Sequence, residues 1–146
     1  MSITDFRGDY RWLSNFHLVD VEWQGDVYPS TEHAYQAAKT EDPEERRKIR
    51  EARTCGKAKR LGQKVTMSPT WQANERICKL ATMKGLTRKK FENPGLREKL
   101  ILTGRQHLVE GNSWRDTFWG VCEGEGENHL GRILMDIRAE IMEKMA

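Results

Sequence analysis

No apolar run in this 146-residue chain approaches the roughly 20 residues that a membrane-spanning helix needs. Close behind Met1, Asp5, Arg7 and Asp9 stand where a signal peptide would place an apolar stretch, so a cytoplasmic protein with no membrane contact is expected. Cysteine is scarce. Cys55, Cys78 and Cys122 are odd in number and far apart, without the paired Cys or Cys/His spacing of zinc sites, so reduced thiols and no structural metal are expected. A strong excess of one charge is also missing: 25 basic against 22 acidic residues leave +3, which suits an anionic ligand without being a nucleic-acid signature. Internal repeats and low-complexity segments are absent as well. What is present is 37% hydrophobic content, enough for one compact domain spanning 1–146 and too short a chain for two ordinary ones.

The most informative stretch is Tyr28-Pro29-Ser30-Thr31-Glu32-His33-Ala34-Tyr35-Gln36-Ala37-Ala38-Lys39. Ser30 or Thr31 can accept a free backbone N–H as an N-cap, which starts a helix with Glu32 in its first turn. The positive end of the helix dipole favours an ionised carboxylate there, placed to stabilise positive charge or to orient a water. The same acid can simply complement the dipole. Its neighbours sharpen the reading, because His33, Tyr35, Gln36 and Lys39 put four kinds of polar group on one short helix while Ala34, Ala37 and Ala38 leave a side for close packing.

Before this helix, Phe6 to Phe16 reads as a loop held at both ends, containing Ser14 and Asn15 as either ligand donors or ordinary turn residues. Val19, Val21 and Trp23 alternate with acids, and Gln24-Gly25-Asp26 turns into Val27-Tyr28, which predicts a hairpin. After it, Asp42-Pro43-Glu44-Glu45 predicts a new helix start with a capping box, followed by a charged, solvated helix with acids interleaved among the bases. Thr54 to Gly62 is a further short helix. Ser68-Pro69 opens a longer one in which Trp71, Ile77, Leu80, Ala81 and Lys84 share helical spacing. Trp71 sits in its first turn, beside free N–H groups that suit an anion, or serves the core. Asn93-Pro94 caps a helix with Leu96, Leu100 and Ile101 buried, and Leu108-Val109-Glu110 reads as a short strand. The loop Gly111 to Gly120 carries Trp114, Asp116 and Trp119, aromatics that need something to pack on. Asn128 is expected to cap a last helix with Leu130, Ile133, Leu134, Ile137 and Ile141 in one apolar stripe.

Phe6-Arg7-Gly8, Leu13-Ser14-Asn15-Phe16, Tyr28, Ser30-Thr31-Glu32-His33 and Tyr35-Gln36-Ala37-Ala38-Lys39 together resemble the YbiA-like (NADAR) family. The resemblance continues through Trp71, Met83, Lys90-Phe91, Leu100, Thr103-Gly104, Val109-Glu110, Asp116-Thr117-Phe118-Trp119-Gly120, Asn128, Leu130-Gly131 and Leu134-Met135 to Arg138. It implies a mainly α domain with a small N-terminal β-hairpin and a short C-terminal strand, and N-glycosidase activity on the C1–N bond of ribosyl compounds. Substrates implied are phosphorylated pyrimidine intermediates of riboflavin synthesis, or ADP-ribose on guanine bases of nucleic acid. One departure stands out: Cys122 replaces the glycine usual in the family two residues after the Trp-Gly pair, and an acidic loop, Glu123 to Glu127, follows it. That loop would reshape the pocket rim and repel a polyanion.

Cleaving an N-ribosyl bond builds positive charge on C1 and the ring oxygen and negative charge on the departing base. Two carboxylates can divide this work: Glu32 holding the ribose hydroxyls or stabilising the cationic sugar, Asp116 orienting and deprotonating water, or the reverse. Trp71 and Trp119 are the candidates to stack on the base, and Ser14, Asn15, Lys39 and Arg7 to donate to ribose or phosphate oxygens. His33 is a candidate acid for the leaving nitrogen or a structural histidine. No cofactor or metal is required, and no obligate protein partner is evident. Two other readings compete: a non-catalytic ADP-ribose or nucleotide binder, and a small nucleic-acid module using its Lys/Arg helices, which predicts steep salt dependence.

Overall fold

A computed structural model describes all residues, 1–146. In chain order the elements are β1 (Ser2–Ile3), a 3-10 helix (Gly8–Leu13), β2 (Leu18–Trp23), β3 (Asp26–Ser30), α1 (Thr31–Ala38), α2 (Pro43–Arg50) and α3 (Cys55–Gly62). They continue as α4 (Pro69–Ala73), α5 (Glu75–Lys90), α6 (Pro94–Leu102), β4 (His107–Leu108), β5 (Gly111–Asn112), β6 (Val121–Cys122) and α7 (His129–Met145). The class is mainly α with minor β. No helix is long and apolar enough to cross a membrane. The chain divides into two compact units, one of Asn15–Lys90 and one of Met1–Ser14 with Phe91–Ala146.

In the Asn15–Lys90 unit the expected hairpin forms from β2 and β3, with Val21 opposite Tyr28 and both buried. Its turn puts Gln24 at φ 53° and Gly25 at φ 90°, the positive pair that a tight two-residue hairpin requires. Ser30 ends β3 and caps α1, its hydroxyl oxygen accepting the His33 N–H. Asp42 caps α2 through Glu44 and Glu45 N–H, and Thr54 caps α3 through Lys57 N–H. α2 buries only Ile49, as a charged solvated helix should. The capping box expected at Glu45 does not form. Its carboxylate instead accepts from the Thr40 hydroxyl at 2.6 Å and from the Thr66 N–H at 3.1 Å, stitching two connections, while Asp42 N–H goes to the Thr40 oxygen. The single helix expected from Ser68 is broken as well. Asn74, at φ −137° and ψ 48°, ends α4, and α5 starts afresh one residue later with Ile77 68% exposed instead of buried.

In the other unit, Trp12 and Leu13 of the 3-10 helix are buried, and Trp12 meets Phe91 edge-on at 6.3 Å. β1 pairs in parallel with β4, which takes in His107 and Leu108 but not the expected Val109 and Glu110. Asn93 caps α6; Leu96 and Leu100 are buried, whereas Ile101 is only half so. Leu130, Ile133, Leu134 and Ile137 form the buried face of α7, with Ile141 half-exposed at its end. Arg138 lies inside and donates to the Thr103 hydroxyl at 2.9 Å. Asn128 stands at the helix start as expected but makes no capping bond. It adopts φ 54°, and its side chain spans to another segment, donating to Leu108 O and accepting from Glu110 N–H, each at 3.0 Å.

Candidate functional site

The first turn of α1 holds Glu32, the candidate carboxylate of the Asn15–Lys90 unit. Glu32 is 8% exposed, and its backbone N–H, one of the donors that a helix start leaves without an intrahelical acceptor, goes to Asn15 O at 3.1 Å. One turn later Gln36 donates from Nε2 to Glu32 Oε2 at 2.6 Å. A short bond of this kind holds the carboxylate in one orientation. Gln36 reaches that position because α3 presents Gly62 to it: a Cβ on Gly62 would lie 1.9 Å from Gln36 Oε1. The sequence marks Gln36 as one polar group among several on α1 and assigns it no role of its own. The available signal was its i,i+4 spacing from Glu32, which makes the two neighbours on a helix.

Lys39 follows on the same helix. Its ammonium lies 5.3 Å from the Tyr35 ring centroid. Burial pushes the Lys39 pKa below its ordinary value, while the Glu32 charge pulls it back up; Lys79 and Lys59 add to the lowering and Glu75 opposes it. Tyr35 in turn meets Trp71 edge-on at 5.9 Å, so α4 delivers its tryptophan to the helix that carries Glu32. Trp71 is 3% exposed, and its indole N–H has no partner in the protein. Gln36 Oε1 is a second buried polar atom without one. Such atoms are costly to leave unpaired and are commonly met by water or ligand. Burial also holds Lys90, at the end of α5, down to about 7, a shift that no sequence pattern announced.

His33 faces a different set of groups. Its Nδ1 accepts from the Ser30 hydroxyl at 2.6 Å and its Nε2 donates to Ala52 O at 3.0 Å. The Cys55 thiol sits beside them, 3.3 Å from Ser30 Oγ. Both ring nitrogens are therefore occupied by protein groups, and burial lowers the His33 pKa, opposed by the bond to Ala52. Asn15 presents its carbonyl to Glu32, and its amide lies 3.5 Å from Met83 Sδ.

The other unit holds the remaining candidates. Asp116 Oδ1 accepts from Phe118 N–H at 3.2 Å and Trp119 N–H at 2.9 Å, and Asn112 clasps the Asp116 backbone from both sides. Trp119 is half-buried with its ring edge-on to Phe118 at 4.8 Å, whereas Trp114 is 55% exposed. Cys122 exchanges backbone hydrogen bonds with Glu125, which folds the acidic loop into a tight turn. Arg7 is exposed and pairs with Asp5 at 3.6 Å, and Ser14 ends the 3-10 helix with its N–H on Arg11 O. The structure thus brings Glu32, His33, Lys39, Trp71 and Asn15 into one unit, and Asp116, Trp119, Arg7 and Ser14 into the other.

Comparison with known proteins identifies the family. The N-glycosidase YbiA of Escherichia coli (strain K12) is 33% identical over 135 residues, covering 91% of this chain and 82% of that protein. An N-glycosidase of Nostoc punctiforme is 35% identical over 139 residues, covering 90% and 86%. A riboflavin biosynthesis protein of Vibrio vulnificus is 35% identical over 138 residues; the match takes in 92% of this chain but only 36% of that protein's length. Among solved structures, the NMR structure of the E. coli protein YbiA matches with a TM-score of 0.82 at 31% identity, covering 99% of this chain and 86% of the other. With residues 4–142 also matching the NADAR domain, the chain belongs to the NADAR family.

Proposed function

We propose that this chain is a hydrolase of N-glycosyl bonds that cleaves the C1–N bond of a ribosyl nucleotide-type substrate, with Glu32 as the carboxylate that meets the sugar. The 2.6 Å bond from Gln36 to Glu32 carries the reading. A buried carboxylate at a helix start, held in one orientation, opposes the positive charge that develops on C1 and the ring oxygen without having to reorganise as it forms. Lys39 supplies the complementary cation for the departing base or a phosphate oxygen. Its lowered pKa makes its proton easier to give up than that of an ordinary ammonium. The Trp71 indole N–H, without a protein partner, offers a donor to ligand beside an aromatic wall. His33 acts here as a positioning residue, since both of its nitrogens are engaged in tying α1 to Ala52 and Ser30.

Asp116 is the second proposed carboxylate. Oδ1 is held by two backbone N–H groups, which sets the direction of the group for orienting and deprotonating water. Trp119 is proposed to stack on the base, and Ser14, Asn15 and Arg7 to donate to ribose or phosphate oxygens. The names of the E. coli and Nostoc relatives support the reaction class, and that of the Vibrio relative supports a riboflavin-pathway intermediate as substrate. ADP-ribose on guanine is the other substrate proposed, having the same ribosyl C1–N bond and a phosphate for the cations to hold.

The deciding variant is Glu32→Gln, which keeps the shape and removes the charge. Incubation with the phosphorylated riboflavin-pathway intermediate and with ADP-ribosylated guanosine, followed by mass spectrometry of the released ribose species, should show turnover by the unaltered protein. In Glu32→Gln that turnover should fall by about 100-fold or more, with ligand affinity changed only a few-fold. Wild-type turnover in the variant would overturn the assignment; binding without turnover in both proteins would make the chain a binder.

A further inference from the structure

Between α2 and α3 the surface dips into an open hollow of about 630 Å³ walled by Arg47, Lys48, Arg53, Lys57 and Arg60. One carboxylate, Glu51, shares the hollow and is tied to Arg47 at 2.9 Å. Arg47 also pairs with Glu44. Lys48, Arg53, Lys57 and Arg60 are exposed and in no ion pair. With Arg47 matched by Glu44 and Glu51, four cations without an ion-pair partner remain in this one place, in a chain whose entire net charge is +3. The well-mixed charge of the sequence therefore hides a local concentration. It arises because α3 lays Lys57 and Arg60 beside the end of α2, with Arg53 in the connection between them.

We propose that this hollow is a docking site for the phosphodiester backbone of a polynucleotide. Guanidinium forks match phosphate oxygens, and a chain of phosphates supplies several negative charges where a single phosphate would leave most of these cations unneutralised. No aromatic side chain lines the hollow, so bases find no stacking platform and the contact is with the backbone, independent of sequence. Its apolar lining is limited to Ala52 and Leu61, both half-buried, which leaves nothing to insert into a lipid surface. The proposal concerns holding a polymer, and stands whether or not the chain cleaves one.

The test is fluorescence anisotropy of the full chain with a labelled 20-nucleotide oligothymidylate, titrated at a series of salt concentrations from about 25 to 300 mM. Binding should weaken with salt with a log–log slope near −3, as four phosphate contacts on a single strand give. The double variant Arg53→Glu, Lys57→Glu should lose tenfold or more in affinity at low salt and show a shallower slope. Lys64→Glu, Lys144→Glu makes the same change in net charge outside the hollow and should lose much less. Neutral Arg53→Gln, Lys57→Gln keeps the readout if the reversal impairs folding, as circular dichroism will show. The proposal is overturned by absence of binding at low salt, by equal losses from the two charge-reversal pairs, or by equal or tighter binding of polyglutamate of matched length, which would mark an acidic protein partner instead.

Discussion

Gln36 helps to set the position of the Glu32 carboxylate, and Gln36 in turn depends on the missing side chain of Gly62. Gly62→Ala would put a methyl group where Gln36 Oε1 now lies, and Gln36→Leu would keep the bulk while removing the donor. Both should lower kcat about tenfold or more with KM within a few-fold, since they disturb an oriented charge and not a substrate contact. Gln36→Glu should move the acid limb of the pH–rate profile upward, because a like charge beside Glu32 makes it harder to ionise. Steady-state kinetics on all three, with circular dichroism to confirm the fold, checks this; unchanged kcat in Gly62→Ala and Gln36→Leu would remove Gln36 from the mechanism. Asp116 permits a cleaner separation of roles. Asn at 116 retains an Oδ1 acceptor for the Phe118 and Trp119 N–H groups but no charge, whereas Ala loses the acceptor and about 1 to 2 kcal/mol of stability. If Asp116 activates water, Asp116→Asn should lose turnover as severely as Asp116→Ala while melting like the unaltered protein. If it only shapes the turn, Asp116→Asn should remain active.

At the level of the element, helix starts follow local chemistry and their long-range ties do not. Ser30, Asp42, Thr54, Ser68 and Asn93 each accept a backbone N–H from the following first turn, as their types and positions predict. Asn128 looks the same in sequence and does something else, because its left-handed φ of 54° turns the side chain away from α7 toward Leu108 and Glu110. Replacing it with Ala removes two buried hydrogen bonds and leaves a residue poorly suited to that φ, for an expected loss of about 2 to 4 kcal/mol in urea unfolding. Asn128→Gly, free of the φ penalty, should lose about 1 kcal/mol less; equal losses would mean that strain at 128 is unimportant. Asn74 and Glu45 teach the same lesson. The apolar spacing of Trp71 and Ile77 suggested one helix, but Trp71 packs on Tyr35 from the short α4, and after Asn74 the register no longer places Ile77 inside.

For the whole molecule, His33 is one of the groups through which pH enters, beside Lys39 and Lys90, and the one whose ordinary value lies in the weakly acidic range. Its folded pKa lies below the ordinary 6.5, because burial disfavours the imidazolium. The unfolded chain therefore takes up this proton at higher pH than the folded one does. The His33 contribution to stability is complete above about pH 6.5, and it declines as pH falls toward the folded value. His33→Gln can keep a donor for Ala52 O and cannot titrate, so its urea midpoint should change less than that of the unaltered protein between pH 7.5 and 5.5; parallel profiles would show that His33 is not the source. From the sequence alone came the mainly α class, the hairpin, the cap positions, and the family resemblance that centred attention on Glu32, because caps, turns and amphipathic spacing are set by residues a few positions apart. Only the tertiary structure decided that Gln36 fixes Glu32 against Gly62, that both nitrogens of His33 are occupied, that Asn128 reaches Leu108 and Glu110, and that an evenly mixed charge gathers into one basic hollow. Those outcomes rest on partners that are distant along the chain, or on different elements, and become neighbours only when the elements pack, which no local pattern encodes.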